Sequence, residues 1–149
     1  MSNFLIERGR ASGRWMSHCA ALLADAYTKS GQPAEGLEVL NNALARVDRS
    51  NCRYYEAELH RRKGELLLME SVPATVQAEA SFQNALTVAR RQSAKSWELR
   101  AAMSLSRLWQ RQGKRDEARK LLAEIYGWFT EGFETADLRE ARTLLEELS

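Results

Sequence analysis

Residues 19–43, CAALLADAYTKSGQPAEGLEVLNNA, and residues 101–125, AAMSLSRLWQRQGKRDEARKLLAEI, can be laid over one another at a fixed offset. Gly31 falls on Gly113, and the aromatics Tyr27 and Trp109 lie four residues before them. The small residues Gly36 and Ala118 lie five residues after, followed by Leu40 on Leu122 and Ala43 on Ile125. A third unit sits between the two, with Gly64 in its first half and Ala78, Phe82, Ala85 and Leu86 in its second. Its turn, around Pro73, is longer by about two residues, and the spacing makes a repeat of about 40 residues.

Each unit reads as two helices. Apolar residues recur at three and four in Cys19, Leu22, Leu23, Ala26 and Tyr27, in Leu37, Leu40, Leu44 and Val47, and in Ala118, Leu121, Leu122, Ile125 and Phe129. No stretch alternates with the period of a strand. Seven helices fit, at roughly 14–30, 33–48, 53–70, 75–92, 95–112, 115–130 and 136–148. Gly31 and Gly113 stand where a left-handed residue ends a helix, Pro33 suits a first turn, and Thr135 with Asp137 is placed to cap the last helix. The short connections make successive helices antiparallel. Small residues at one position let two helices approach closely while a neighbouring aromatic or leucine fills the space beside them.

A hairpin of this kind buries one face internally and needs a neighbour for the other, which is why three or more units and a polar-faced cap are wanted. The segment from Ala136 to Leu148 has Leu138, Ala141, Leu145 and Leu148 on one stripe. Arg139, Glu140, Arg142, Glu146 and Glu147 lie on the other, as a cap requires. The expected fold is all-α: a right-handed superhelix of three hairpins, at about 15–50, 53–92 and 95–130, with a capping helix over 135–149. Residues 1–14 form a tail or partial helix.

These positions resemble the tetratricopeptide repeat signature. It is carried by Leu23-Ala24, Tyr27, Gly31, Leu40 and Ala43, by Gly64, Ala78, Phe82 and Ala85, and by Leu105, Trp109, Gly113, Ala118 and Leu122. Gly36 and Ile125 replace alanines of that pattern, Lys63 replaces the leucine before Gly64, and the proline that often ends a unit is missing. The segments YEAEL at 55–59, KGELLL at 63–68, WELRAA at 97–102 and YGWFTEGF at 126–133 resemble the C-terminal repeat region of large bacterial signalling ATPases. Those proteins often carry a cyclase or helix-turn-helix regulator domain upstream. A chain of 149 residues leaves no room for such a domain, and it contains no G-x-x-x-x-G-K-S/T phosphate loop. The resemblance therefore implies a stand-alone binding or scaffold module of bacterial signalling, or a fragment of a larger ATPase or cyclase.

Composition narrows the function. With 44% hydrophobic and 28% charged residues the chain is of globular type, and its net charge of +2 is spread along the length. Neither nucleic acid nor membrane is an expected partner, no signal-peptide core is present, and the expected location is the cytoplasm. The basic group Arg90, Arg91, Lys95 and Arg100 is interrupted by Glu98. Cys19 and Cys52 make no C-x-x-C pair, and His18 and Cys19 point about 100° apart on a helix, so no metal is expected. No nucleophile–base pair or glycine-rich cradle calls for an enzyme or a cofactor. Glu58 with Arg62, and Arg61 with Glu65, read as solvated pairs at helical spacing. Trp109 reads as packing, Trp97 as partly exposed, and Trp128 with Phe129 as sealing the junction to the cap.

The resemblance implies a groove lined by the first helix of each hairpin. Its positions are His18, Asp25 and Lys29, then Glu58, Arg61 and Glu65, then Arg100, Met103, Arg107 and Arg111. The last group is basic, and the expected ligand is a protein or peptide with an acidic segment or C-terminal carboxylate held by arginine. The alternative is a structural role in which the uncovered first hairpin associates with a second copy.

Overall fold

A computed structural model describes residues 2–50, 53–72 and 74–149, with side chains from residue 15 onward except at position 50. The expected roles of Cys52 and Pro73 lie outside the described residues. The seven helices are α1 (Ser2–Ser30), α2 (Pro33–Ser50), α3 (Glu56–Leu68), α4 (Thr75–Arg91), α5 (Lys95–Arg111), α6 (Arg115–Tyr126) and α7 (Ala136–Leu148), and the described residues contain no strand. The chain is all-helical. Helix α1 begins at Ser2 instead of near 14, and α6 stops at Tyr126. After α6, the amides of Trp128 and Phe129 turn back to the carbonyls of Ile125 and Tyr126.

Helix α1 packs on α2 and α3, α3 on α4 and α5, and α5 on α6 and α7. Each even helix also touches the next odd one, and no two even helices meet. The odd helices thus lie side by side and carry most of the burial: Ala101 through Ser106 of α5 are all buried.

Helix ends follow local chemistry. Gly31 (φ 72°) and Gly113 (φ 80°) take the left-handed conformation, and the amides of Gln32 and Lys114 reach the carbonyls of Tyr27 and Trp109 at 2.9 and 2.8 Å. Helix α4 ends in the same way without glycine. Ser93 takes φ 54°, and the Ala94 amide bonds to the Ala89 carbonyl at 2.9 Å. At α7 the expected side-chain cap is absent. Thr135 makes no capping hydrogen bond, and Asp137 is drawn to Arg100, because a full charge competes better for a carboxylate than a backbone amide does.

Close approach occurs where the small residues stand. A Cβ on Gly36 would lie 2.8 Å from Cδ1 of Leu66, so α2 seats directly on α3. In the α5–α6 hairpin, the fully buried Ser106 hydroxyl donates to the Ala118 carbonyl at 3.2 Å. Helix α1 corrects the sequence reading. Among its described side chains the buried ones are Ser17, Ala20, Ala21 and Ala24, whereas Leu22 is 57% and Leu23 44% exposed, with Cys19 and Ala26 also outside. The leucines and valine of α2 and α3 (Leu40, Val47, Leu59, Leu66) fill that interface, and only small residues of α1 fit against them.

Candidate functional site

The odd helices bring most of the expected groove residues into one charged row. At its centre Glu58 of α3 is 5% exposed and accepts from Arg61 at both oxygens, 2.6 and 2.9 Å, and from Arg62 at 3.2 Å. Arg61 also donates to Glu65 at 2.6 Å and to Ser104 of α5 at 3.4 Å, and the Ser104 hydroxyl donates to Glu65 at 3.2 Å. Arg62 crosses to Asp25 of α1 at 2.5 Å, and Lys29 holds the other Asp25 oxygen at 3.1 Å. Arg100 of α5 lies 3.7 Å from Glu58 and donates to Asp137 of α7 at 2.8 Å.

This row corrects the reading of Glu58–Arg62 and Arg61–Glu65 as solvated pairs. Helix spacing identifies the partners properly, but α1 and α5 close over α3 from both sides and take the pairs largely out of water. Burial alone would raise the Glu58 carboxyl. The hydrogen bond and charge of Arg61, with the charges of Arg62 and Arg100, outweigh it and hold the group below its ordinary range. Asp25 is also lowered, by hydrogen bonds from Lys29 and Arg62. Arg61 is held protonated, its burial outweighed by Glu58.

Met103 is 3% exposed and belongs to the core, so it offers no surface to a ligand; its place on α5 turns it toward the packed interior. His18 stands apart from the charged row, with its ring 5.3 Å from that of Tyr55. Arg107 and Arg111 remain accessible. Arg107 meets Glu140 of α7 only at 3.5 Å, and Arg111 is exposed. Arg107 borders two hollows. One, of about 420 Å³, lies between α5 and α7 beside Arg139, Glu140, Thr143 and Glu147; the other, of about 60 Å³, lies beside Glu65, Ser104 and Arg111. In the sequence Arg139 is only one residue of the polar face of the cap, and nothing in its spacing marks it as a neighbour of Arg107.

A second feature escapes the sequence reading. Rings of Trp15 and His18 (α1), Tyr54 and Tyr55 before α3, and Trp97 at the start of α5 form a continuous row with centroid spacings from 5.0 to 6.3 Å. These residues are dispersed in the chain and meet only because the odd helices lie side by side. Trp128 does not seal the cap junction: it is 58% exposed, with the Lys95 ammonium 5.4 Å from its ring centroid, while Phe129 does pack on the core. Trp109 is partly buried and donates to Glu79 at 3.0 Å. The basic group divides: Arg90 and Lys95 hold the buried Glu98 at 3.0 and 3.1 Å, and Arg100 faces the charged row.

Among the described residues no three His, Cys, Asp or Glu side chains converge as a metal site, and no helix is long and apolar enough to cross a membrane. No family model, curated protein or solved structure matches the chain.

Proposed function

We propose that the chain is a non-catalytic binding module. In this reading α1/α2, α3/α4 and α5/α6 are three tetratricopeptide-like hairpins wound as a right-handed superhelix and capped by α7, serving bacterial signalling in the cytoplasm. The ligand is a protein segment with an acidic side chain or C-terminal carboxylate, held along the odd helices at the α5–α7 end.

The supporting observation is the contrast within the charged row. Arg61, Arg62 and Arg100 have close carboxylate partners inside the molecule. Arg107 has only a loose one and opens onto both hollows, with Arg111 beside one and Arg139 beside the other. A carboxylate entering there replaces a weak contact with a bidentate one, and the exchange is favourable because little is given up. The buried ionisable groups at the centre of the row are held by one another and are assigned to structure.

The test uses a fluorescent peptide ending in several acidic residues, with binding followed by anisotropy. Binding that weakens by about tenfold or more in Arg107→Ala with Arg111→Ala, and that fades as salt screens the charges, is expected. Equal affinity for the native protein and this variant would remove the reading.

A further inference from the structure

Between residues 15 and 26, helix α1 buries Ala20, Ala21 and Ala24 and leaves Trp15, Met16, Leu22 and Leu23 exposed. Trp15, Cys19, Leu22 and Ala26 recur at four and three along the exposed side, the spacing of a seam between two helices. Met16 and Leu23 flank that seam and are 41% and 44% exposed. A contiguous apolar stripe on a helix that has already buried another face marks an interface.

We propose that this stripe pairs with the same stripe of a second copy, the two α1 helices running antiparallel about a two-fold axis between residues 20 and 21. The proposal is independent of the peptide groove. Three observations identify the occupant. First, under that axis Trp15 meets the small Ala26 of the other copy, and Cys19 meets Leu22, so a large side chain always faces a smaller one.

Second, the charges beside the seam are complementary under the same axis. The Arg46 guanidinium, 3.5 Å from the Met16 sulfur, shows which side of α2 adjoins the stripe. Helical spacing puts Glu35, Asn42, Arg46 and Arg49 on that side, all exposed. Glu35 lies at the end near Ala26, and Arg46 with Arg49 near Trp15. An antiparallel pair keeps both α2 helices on the same side of the seam and sets each basic end toward the acidic end of the other copy, whereas a parallel pair puts them on opposite sides, where these charges gain no partner.

Third, the opposite end of the stack cannot take the same stripe. The outer face of α7 exposes Arg139, Glu140, Arg142, Glu146 and Glu147, so copies do not add head to tail, and the self-matching arrangement remains.

Sedimentation equilibrium of the full chain from micromolar to millimolar concentration tests this. A mass rising to two chains and no further is expected. Leu22→Glu and, separately, Ala26→Arg should give monomers with unchanged helix content. Arg46→Glu should weaken the pair at least tenfold, and adding Glu35→Arg should restore it. A monomer at every concentration, assemblies larger than two, a dimer that persists in both seam variants, or failure of the charge exchange to restore association would each overturn the arrangement.

Discussion

Phe82 of α4 occupies the space that a side chain at Gly64 of α3 would need: a Cβ there would lie 2.5 Å from Cε1 and 2.8 Å from Cδ1 of the ring. The ring is 1% exposed and belongs to the main core, so it has nowhere to retreat. Gly64→Ala would gain about 1 kcal/mol from helix propensity. Forcing a methyl against a packed ring costs more, and a net loss of about 2 kcal/mol is expected in urea unfolding. Adding Phe82→Leu should recover part of that loss. Stability equal to or above the native value in Gly64→Ala would show that the two helices are not in such close contact.

Ser93 marks the opposite case, a place where glycine is missing. It ends α4 at φ 54° with the backbone hydrogen bonds that Gly31 and Gly113 make at the ends of α1 and α5. A non-glycine residue is strained there, and Ser93→Gly should stabilise by about 0.5–1 kcal/mol. For a chain of this size that is a rise in Tm of about 1–4 °C, readable by circular dichroism. A lowered Tm would mean that the serine side chain supplies something the backbone geometry does not reveal.

These two positions also show what is legible in the sequence. Glycine has few uses in a helical chain, so the pattern of Gly31, Gly64 and Gly113 by itself discloses the helix ends and the α3–α4 contact. Ser93 takes the place of such a glycine with a residue that carries no such signal. Periodicity finds the helices but misjudges α1, because Leu22 and Leu23 follow the same three-and-four spacing as Ala20, Ala21 and Ala24, and apolarity alone favours the larger residues. In the charged row, the pairs within α3 are visible from spacing of three and four. Their joining to Asp25, Ser104 and Asp137 depends on helices far apart in the chain, and so does the burial that changes their energetic meaning. The neighbourhood of Arg107 and Arg139 is hidden for the same reason.

Arg61 is the next test of that row. Its guanidinium is the main partner of Glu58, and both side chains are nearly excluded from water. Removing Arg61 strips Glu58 of its two shortest hydrogen bonds but leaves it Arg62 at 3.2 Å and Arg100 at 3.7 Å, so Arg61→Ala should cost about 2–3 kcal/mol, less than the loss that follows when a buried charge is left with no partner. Replacing both residues by leucine should cost much less than the sum of the two single changes. Additive losses in the double-mutant cycle would show that the pair is not coupled.

Stability should fall with acid in two separate windows. Burial lowers the pKa of His60 from 6.5, against the opposing pull of Glu56, whose carboxylate lies 3.8 Å from its Nε2, and the unfolded chain therefore binds that proton more readily. Its contribution is complete above pH 6.5 and is lost as pH falls from there through the lowered folded value. Glu58 and Asp25 are lowered from 4.5 and 3.8 by their basic partners, so their contributions are full above those values and decline as pH falls further. Urea unfolding measured from pH 8 to pH 3 should show an early decline that His60→Gln abolishes. A later and steeper decline, which Glu58→Gln reduces, should follow below about pH 4.5. An early decline that survives His60→Gln would assign that window to another group, and stability that rises on acidification below pH 4 would contradict the ion-paired state of both carboxylates.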